Sequence, residues 1–190
     1  MNEKYLNTYN DLILTFPKAG TKFLDSIMNI TGALSLYSPI VDESIKFKYV
    51  IIKHPLEYFC SSFRNMWYPQ REQTSKKEIL LKMLSNSDAH YNLGLNSILY
   101  TLNTQYKIEY YVDINDLDYL LNEKLNILPF NTQKKDKTFP WYTNDMVIGD
   151  IQKEEPYLWD IIRELIEVEV LFYNRIKSLD NFYRVNKGLI

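Results

Sequence analysis

Cysteine is nearly absent: Cys60 is the only one in 190 residues. A single thiol excludes an internal disulfide and any zinc site built on paired cysteines, and it suits a reducing compartment. Histidine is almost as scarce, with His54 and His90 alone, and neither histidine nor acid spacing outlines a metal site. A basic excess is missing too. Lysine and arginine number 22 against 24 acidic residues, a formal charge of -2. That argues against a non-specific nucleic-acid binder and makes any anion recognition local. No apolar run approaches the roughly 20 residues that span a bilayer, and the polar start, Met1 to Asn7, does not read as a signal peptide. The expectation is a cytoplasmic protein with neither a nucleic-acid partner nor a membrane span. The composition leaves its oligomeric state open. Internal repeats and low-complexity tracts are also lacking.

Aromatic side chains, by contrast, are plentiful. Sixteen tyrosines and nine phenylalanines sit within a hydrophobic content of 46%, ample for a core. The length favours one domain over residues 1–190.

Asp11 to Phe16 reads as a short buried strand. From Thr21, Phe23, Leu24, Ile27 and Met28 fall on one helical face, with Gly32 as a stop. Phe47 to Lys53 is a second strand, β-branched at its centre, and Pro55 is well placed to open the next helix. Leu56, Phe59, Cys60, Phe63 and Trp67 continue at helical spacing. Residues 75–85 predict a short helix, Lys107 to Asp113 a third strand, and Asn115 to Asn126 a helix with Asn115 as its cap. Residues 129–145 carry two prolines and no period, and read as a surface loop. The longest predicted helix is Glu154 to Ile176, with Leu158, Ile161, Ile162, Leu165, Val168 and Phe172 on its apolar face. Strands alternating with helices predict an α/β fold with a mainly parallel central sheet and a helical C-terminal region. Ligands of such sheets bind outside the carboxyl ends of the strands, which is where Lys18 and Lys53 stand in this reading.

The most informative stretch is Pro17-Lys18-Ala19-Gly20-Thr21, between the first strand and its helix. A tight turn into a helix directs backbone N–H groups and the positive end of the helix dipole at one point, and Lys18 adds a full charge there. A phosphate or sulfate suits such a point. By spacing alone, a plain strand–turn–helix joint with a solvated lysine accounts for the same residues equally well. The stretch does not fit G-x-x-x-x-G-K-[ST]: it has one glycine, and its lysine precedes that glycine. An ordinary ATP or GTP loop, and with it a P-loop phosphotransferase, is therefore disfavoured.

Pro17 to Thr21 resembles the 5′-phosphosulfate loop of sulfotransferases that use 3′-phosphoadenosine 5′-phosphosulfate (PAPS), whose form is close to P-K-[SA]-G-T-T-x-[LW]. The second threonine of that form is Lys22 here, which removes a hydroxyl, adds a charge and still offers a backbone N–H. Phe23 stands where cytosolic members carry a tryptophan that stacks on adenine; as a helix-core residue it is equally well explained. A second signature, R-[DH]-P-x-x-R-x-x-S-x-[FY], is similar to Lys53-His54-Pro55-Leu56-Glu57-Tyr58-Phe59-Cys60-Ser61-Ser62-Phe63. Lys53 takes the place of the first arginine, Pro55, Ser61 and Phe63 match in register, and Tyr58 replaces the second arginine. Arg64-Asn65 continues a pattern of carbohydrate-type members. The resemblance implies a P-loop-like three-layer fold and binding of PAPS, with 3′-phosphoadenosine 5′-phosphate as product and no metal. It implies that Lys18, Ala19, Gly20, Thr21, Lys22 and Phe23 hold the 5′ end, and that Lys53 and Ser61 hold the 3′-phosphate. Ser62 is an alternative hydroxyl. Lysine in place of arginine loses the bidentate fork, so a weaker grip is expected.

Transfer to a hydroxyl of a small-molecule or carbohydrate acceptor would then use Lys18 against the leaving oxygen and a base for the acceptor proton. His90, in Ser87-Asp88-Ala89-His90-Tyr91-Asn92, resembles part of a D-x-H-[WF]-x-P-Q stretch and is the preferred base. Glu57, Glu72 and Asp88 are alternatives, and a structural histidine fits position 90 as well. His54 is expected to cap a helix or support the site. Asp113 or Asp116 occupies the acidic position after the third strand, and Phe172-Tyr173-Asn174 resembles the family's closing helix. The departures at Lys22, Lys53 and Tyr58 also fit a catalytically decayed, nucleotide-binding relative.

Overall fold

The computed structural model describes residues 4–8, 11–15, 35–37, 49–85, 93–105, 108–121, 139 and 141–184. Among these residues, five strands form one sheet: β1 (Lys4–Thr8), β2 (Asp11–Thr15), β3 (Ser35–Tyr37), β4 (Tyr49–Ile52) and β5 (Tyr110–Asp113), in the order β3-β1-β2-β4-β5. β2, β4 and β5 run parallel, with Ile13 opposite Tyr49 and Ile52 opposite Asp113. β1 is antiparallel to both β2 and β3. The sheet is therefore mixed rather than mainly parallel. The polar-looking start of the chain pairs as a hairpin with β2, and a two-residue connection allows only antiparallel pairing.

Around the sheet stand α1 (Pro55–Trp67), α2 (Lys76–Leu84), α3 (Leu95–Gln105), the short α4 (Leu117–Tyr119), α5 (Asn144–Glu154) and α6 (Pro156–Ser178). The α/β class holds. The starts of these helices follow local chemistry. Pro55 opens α1 and Pro156 opens α6, because a residue without an N–H loses nothing at the first helical position. Ser75 and Glu78 form a reciprocal capping box at α2. Thr143 accepts from Met146 N at α5.

Four expectations need correction. Asn115 caps nothing: Asp113 accepts from Asn115 N and opens a 3-10 turn, Ile114–Asp116, before α4. Residues 144 and 145 belong to α5 and not to a loop. The long helix begins at Pro156, since a proline cannot continue α5, and Glu154 ends that earlier helix. Its buried face is also rotated: Leu158, Trp159, Ile162, Ile166, Glu169, Tyr173 and Ile176 are buried, whereas Leu165 and Val168 are exposed.

All four residues of β4 are buried, so both faces of this central strand are covered. Val50 and Ile52 pack with Tyr58, Leu95, Leu99, Tyr111, Tyr173, Ile176 and Phe182. A second core joins helices: Phe59, Cys60 and Phe63 of α1 meet α2, α5 and the first half of α6. Full burial of a side chain such as Phe59 or Phe63 stabilises by about 1.5–3 kcal/mol. α1 and α6 contribute to both cores, which fixes the sheet against the helical region. After α6 the chain returns to the outer edge of β5, where Tyr111 N donates to Asn181 O and Tyr183 N to Tyr111 O. These bonds cover an otherwise open strand edge.

Candidate functional site

The carboxyl ends of β4 and β5 come out side by side, because Ile52 is opposite Asp113. β4 delivers Lys53 and His54, both half-buried, directly before α1. The Lys53 carbonyl accepts a 3.5 Å bond from Asn96 Nδ2 of α3. Asn96 itself is held from the other side. Its backbone N–H donates to Glu169 of α6 at 2.6 Å, and Ser97 N donates to both oxygens of the same carboxylate. Glu169 thus caps α3 from a different helix. Burial raises its pKa, and the N–H bonds only partly offset that.

His54 does not cap α1 through its side chain. Its ring instead meets the Tyr173 ring edge-on, with centroids 5.3 Å apart. The Tyr173 hydroxyl donates a hydrogen bond to Asp113 Oδ2. Asp113 Oδ1 accepts from Asn115 N and Nδ2, and Lys177 Nζ lies 3.8 Å from Oδ2. Burial and the neighbouring Asp113 push the Tyr173 phenol well above its usual range, which keeps it a donor. Of the two acids considered for the position after the third strand, Asp113 is therefore the buried one, joined to the closing helix through Tyr173.

Ser61 and Ser62 part company on α1. Ser61 is half-buried, with Asn65 Nδ2 bonded to its carbonyl at 2.9 Å. Ser62 is fully enclosed, and its hydroxyl has no hydrogen-bond partner. Of the two, only Ser61 retains solvent exposure. Tyr58, at the position of the second arginine, is buried in the core with Val50 and Leu99. Arg64 is structural. Its Nη1 donates to Tyr142 O at 3.1 Å and to Asn144 Oδ1 at 2.7 Å, tying α1 to the start of α5. Cys60 is equally internal, and burial pushes its thiol up to about 12 despite nearby Arg64 and Lys53.

Lys18, Ala19, Gly20, Thr21, Lys22, Phe23 and His90 lie outside the described residues. β2, the strand before the first of these, does not: it lies beside β4, parallel to it, with Leu14 opposite Val50. Both strands therefore point at the same sheet edge, and Thr15 comes level with Ile51. Of the acids weighed as bases, Glu57 is half-buried on α1 and Glu72 is exposed. Asn96 and Glu169 went unnoticed in the sequence because α3 itself did. Gly94 followed by Leu95, Ile98 and Leu99 is its visible signal. Among the described residues no cluster of His, Cys, Asp and Glu could hold a metal ion, and no helix is long and apolar enough to cross a membrane. Comparisons of the chain with protein-family models, with curated proteins and with solved structures found no match.

Proposed function

We propose that this chain is a PAPS-dependent sulfotransferase that moves a sulfuryl group to an acceptor hydroxyl. The observation that carries the reading is the parallel, adjacent pairing of β2 and β4. Each strand is followed in sequence by one of the two anion signatures, so both signatures start from one edge of one sheet. Chain connectivity adds a bound. Lys18 is three residues beyond Thr15, hence within about 11 Å of the end of β2, and neighbouring strands lie about 4.8 Å apart. The reading extends the fold to a P-loop-like three-layer arrangement, which the coverage of both faces of β4 supports.

In this reading Lys53 and Ser61 meet the 3′-phosphate. Both are half-buried, Lys53 at the carboxyl end of β4 and Ser61 about two turns into α1. Lys18 and the N–H groups of the loop after β2 meet the phosphosulfate, where positive charge offsets the negative charge that develops on the leaving oxygen. The acceptor proton passes to a positioned base, His90 or a carboxylate. The compound supplies an activated sulfuryl group, and the protein supplies position and charge. Calorimetry with 3′-phosphoadenosine 5′-phosphate against 5′-AMP tests the reading: selective binding of the bisphosphate supports it, and equal, weak binding of both defeats it. Lys18→Ala is expected to abolish turnover.

One observation favours the decayed alternative. Tyr58 fills a core position where the signature has its second cation, which leaves Lys53 as the basic side chain of that signature. Bisphosphate binding with no sulfated product across an acceptor screen would select that alternative.

A further inference from the structure

Asn96 sits in the first turn of α3 and is 2% exposed. Its backbone N–H donates to the Glu169 carboxylate at 2.6 Å, which fixes the residue in place. Its side-chain amide turns back to the carboxyl end of β4, where Nδ2 donates to Lys53 O at 3.5 Å. The amide oxygen, Oδ1, is enclosed and has no hydrogen-bond partner among the described residues. Turning the amide over does not relieve it, because Oδ1 would then face Lys53 O, acceptor against acceptor. A buried carbonyl oxygen without a donor is costly and uncommon in a folded chain. Asn96 Oδ1 therefore calls for a group that brings its own N–H or O–H.

Its position narrows the choice of that group. The oxygen and nitrogen of one amide are about 2.3 Å apart, so Oδ1 lies within about 6 Å of Lys53 O. This is the sheet edge at which ligands of parallel strands bind. In the sulfotransferase reading, on which this step rests, Lys53 meets the 3′-phosphate. Apart from its phosphates, 3′-phosphoadenosine 5′-phosphate carries hydrogen-bond donors only on the 6-amino group of adenine and on the ribose 2′-hydroxyl. The 2′-hydroxyl stands on the ring carbon next to the one that bears the 3′-phosphate, whereas the amino group is at the far end of the base. A phosphate held at Lys53 thus brings the 2′-hydroxyl towards Asn96.

We propose that Asn96 is a specificity-determining residue of the nucleotide site. Its Oδ1 accepts the hydrogen bond of the ribose 2′-hydroxyl, and so separates a ribonucleotide from its 2′-deoxy counterpart. Glu169 acts one step behind it as a positioning residue, because it holds the turn that carries the amide. A site built to receive a hydroxyl rejects the analogue without one, since its own polar group is then left unpaired.

Calorimetry with 3′-phosphoadenosine 5′-phosphate and its 2′-deoxy analogue is the test, with 5′-AMP as reference and circular dichroism to show that each variant folds. The wild-type chain is expected to bind the ribonucleotide at least about tenfold more tightly than the deoxy analogue. Asn96→Ala is expected to bind the two alike. Asn96→Asp keeps an acceptor oxygen but adds a negative charge, and is expected to bind both more weakly while still favouring the ribonucleotide. A merely structural role for Asn96 would lower both affinities and leave their ratio unchanged. Equal binding of the two compounds by the wild-type chain overturns the proposal without any variant, and so does an Asn96→Ala chain that keeps the wild-type ratio. If neither compound binds better than 5′-AMP, the sulfotransferase reading itself fails. If both bind alike and better than 5′-AMP, that reading stands and only the role of Asn96 falls.

Discussion

The backbone N–H of Asn96 donates to the Glu169 carboxylate at 2.6 Å, across 73 residues of chain. This bond holds the first turn of α3 against α6, and α3 in turn holds the Lys53 carbonyl through Asn96 Nδ2. A helix far along the chain thereby positions the strand end that carries the candidate anion residue. Removal of the carboxylate takes the acceptor from the buried Asn96 N–H and the half-buried Ser97 N–H. Glu169→Ala is expected to lose about 2–3 kcal/mol in urea denaturation at neutral pH. Glu169→Gln keeps one acceptor oxygen and is expected to lose less.

The same carboxylate gives a pH signature. Burial raises the Glu169 pKa in the folded state above its ordinary value of 4.5. A raised value means the folded chain binds that proton more tightly than the unfolded chain. The resulting stability is fully present below the unfolded value and is lost as pH rises through the folded value. The stability difference between wild type and Glu169→Gln should therefore shift against wild type as pH increases from about 4.5. A difference that stays constant over pH would contradict this.

The two serines of α1 make a sharper pair. Ser61→Ala is expected to weaken binding of 3′-phosphoadenosine 5′-phosphate in calorimetry. Ser62→Ala should leave that binding unchanged and stabilise the fold by about 1 kcal/mol, since it removes a buried hydroxyl that has no partner. A reversed pattern would assign the hydroxyl role to the wrong serine.

Arg64 is expected to matter for stability and not for binding. Arg64→Met strips the Tyr142 carbonyl and Asn144 Oδ1 of their donor. The expected cost is about 2 kcal/mol, with hydrogen exchange speeding up first around Tyr142 to Asn144. Unchanged exchange there would show that the turn is held by other contacts.

Cys60 should behave as an inert core residue. With its thiol enclosed and shifted up to about 12, it is expected to resist alkylation in the folded protein and to react at once in denaturant. Rapid labelling of the native chain would refute the packing described for α1.

The signals most legible in the sequence were those that one short segment decides by itself. Pro55 after a β-branched run gave the β4–α1 corner, and residues 75–85 gave the short helix that is α2. Both rest on local backbone chemistry. β1 was missed because Lys4 to Thr8 has the polar look of a tail, and its pairing with β2 and β3 is what makes it a strand. The apolar face of α6 was misjudged for a related reason. A helix with apolar residues around most of its circumference offers several possible inner faces, and periodicity does not choose among them.

By itself, then, the sequence determined what one short segment decides: the corner at Pro55 after β4, a short helix within residues 75–85, and a lone cysteine that excludes an internal disulfide. Only the tertiary structure decided the partners. It made Asp113, and not Asn115, the cap, left Ser61 half-buried while enclosing Ser62, and drew Glu169 onto the start of α3. These choices depend on contacts between residues tens of positions apart, and such contacts form only when packing, which no local window contains, brings the segments together.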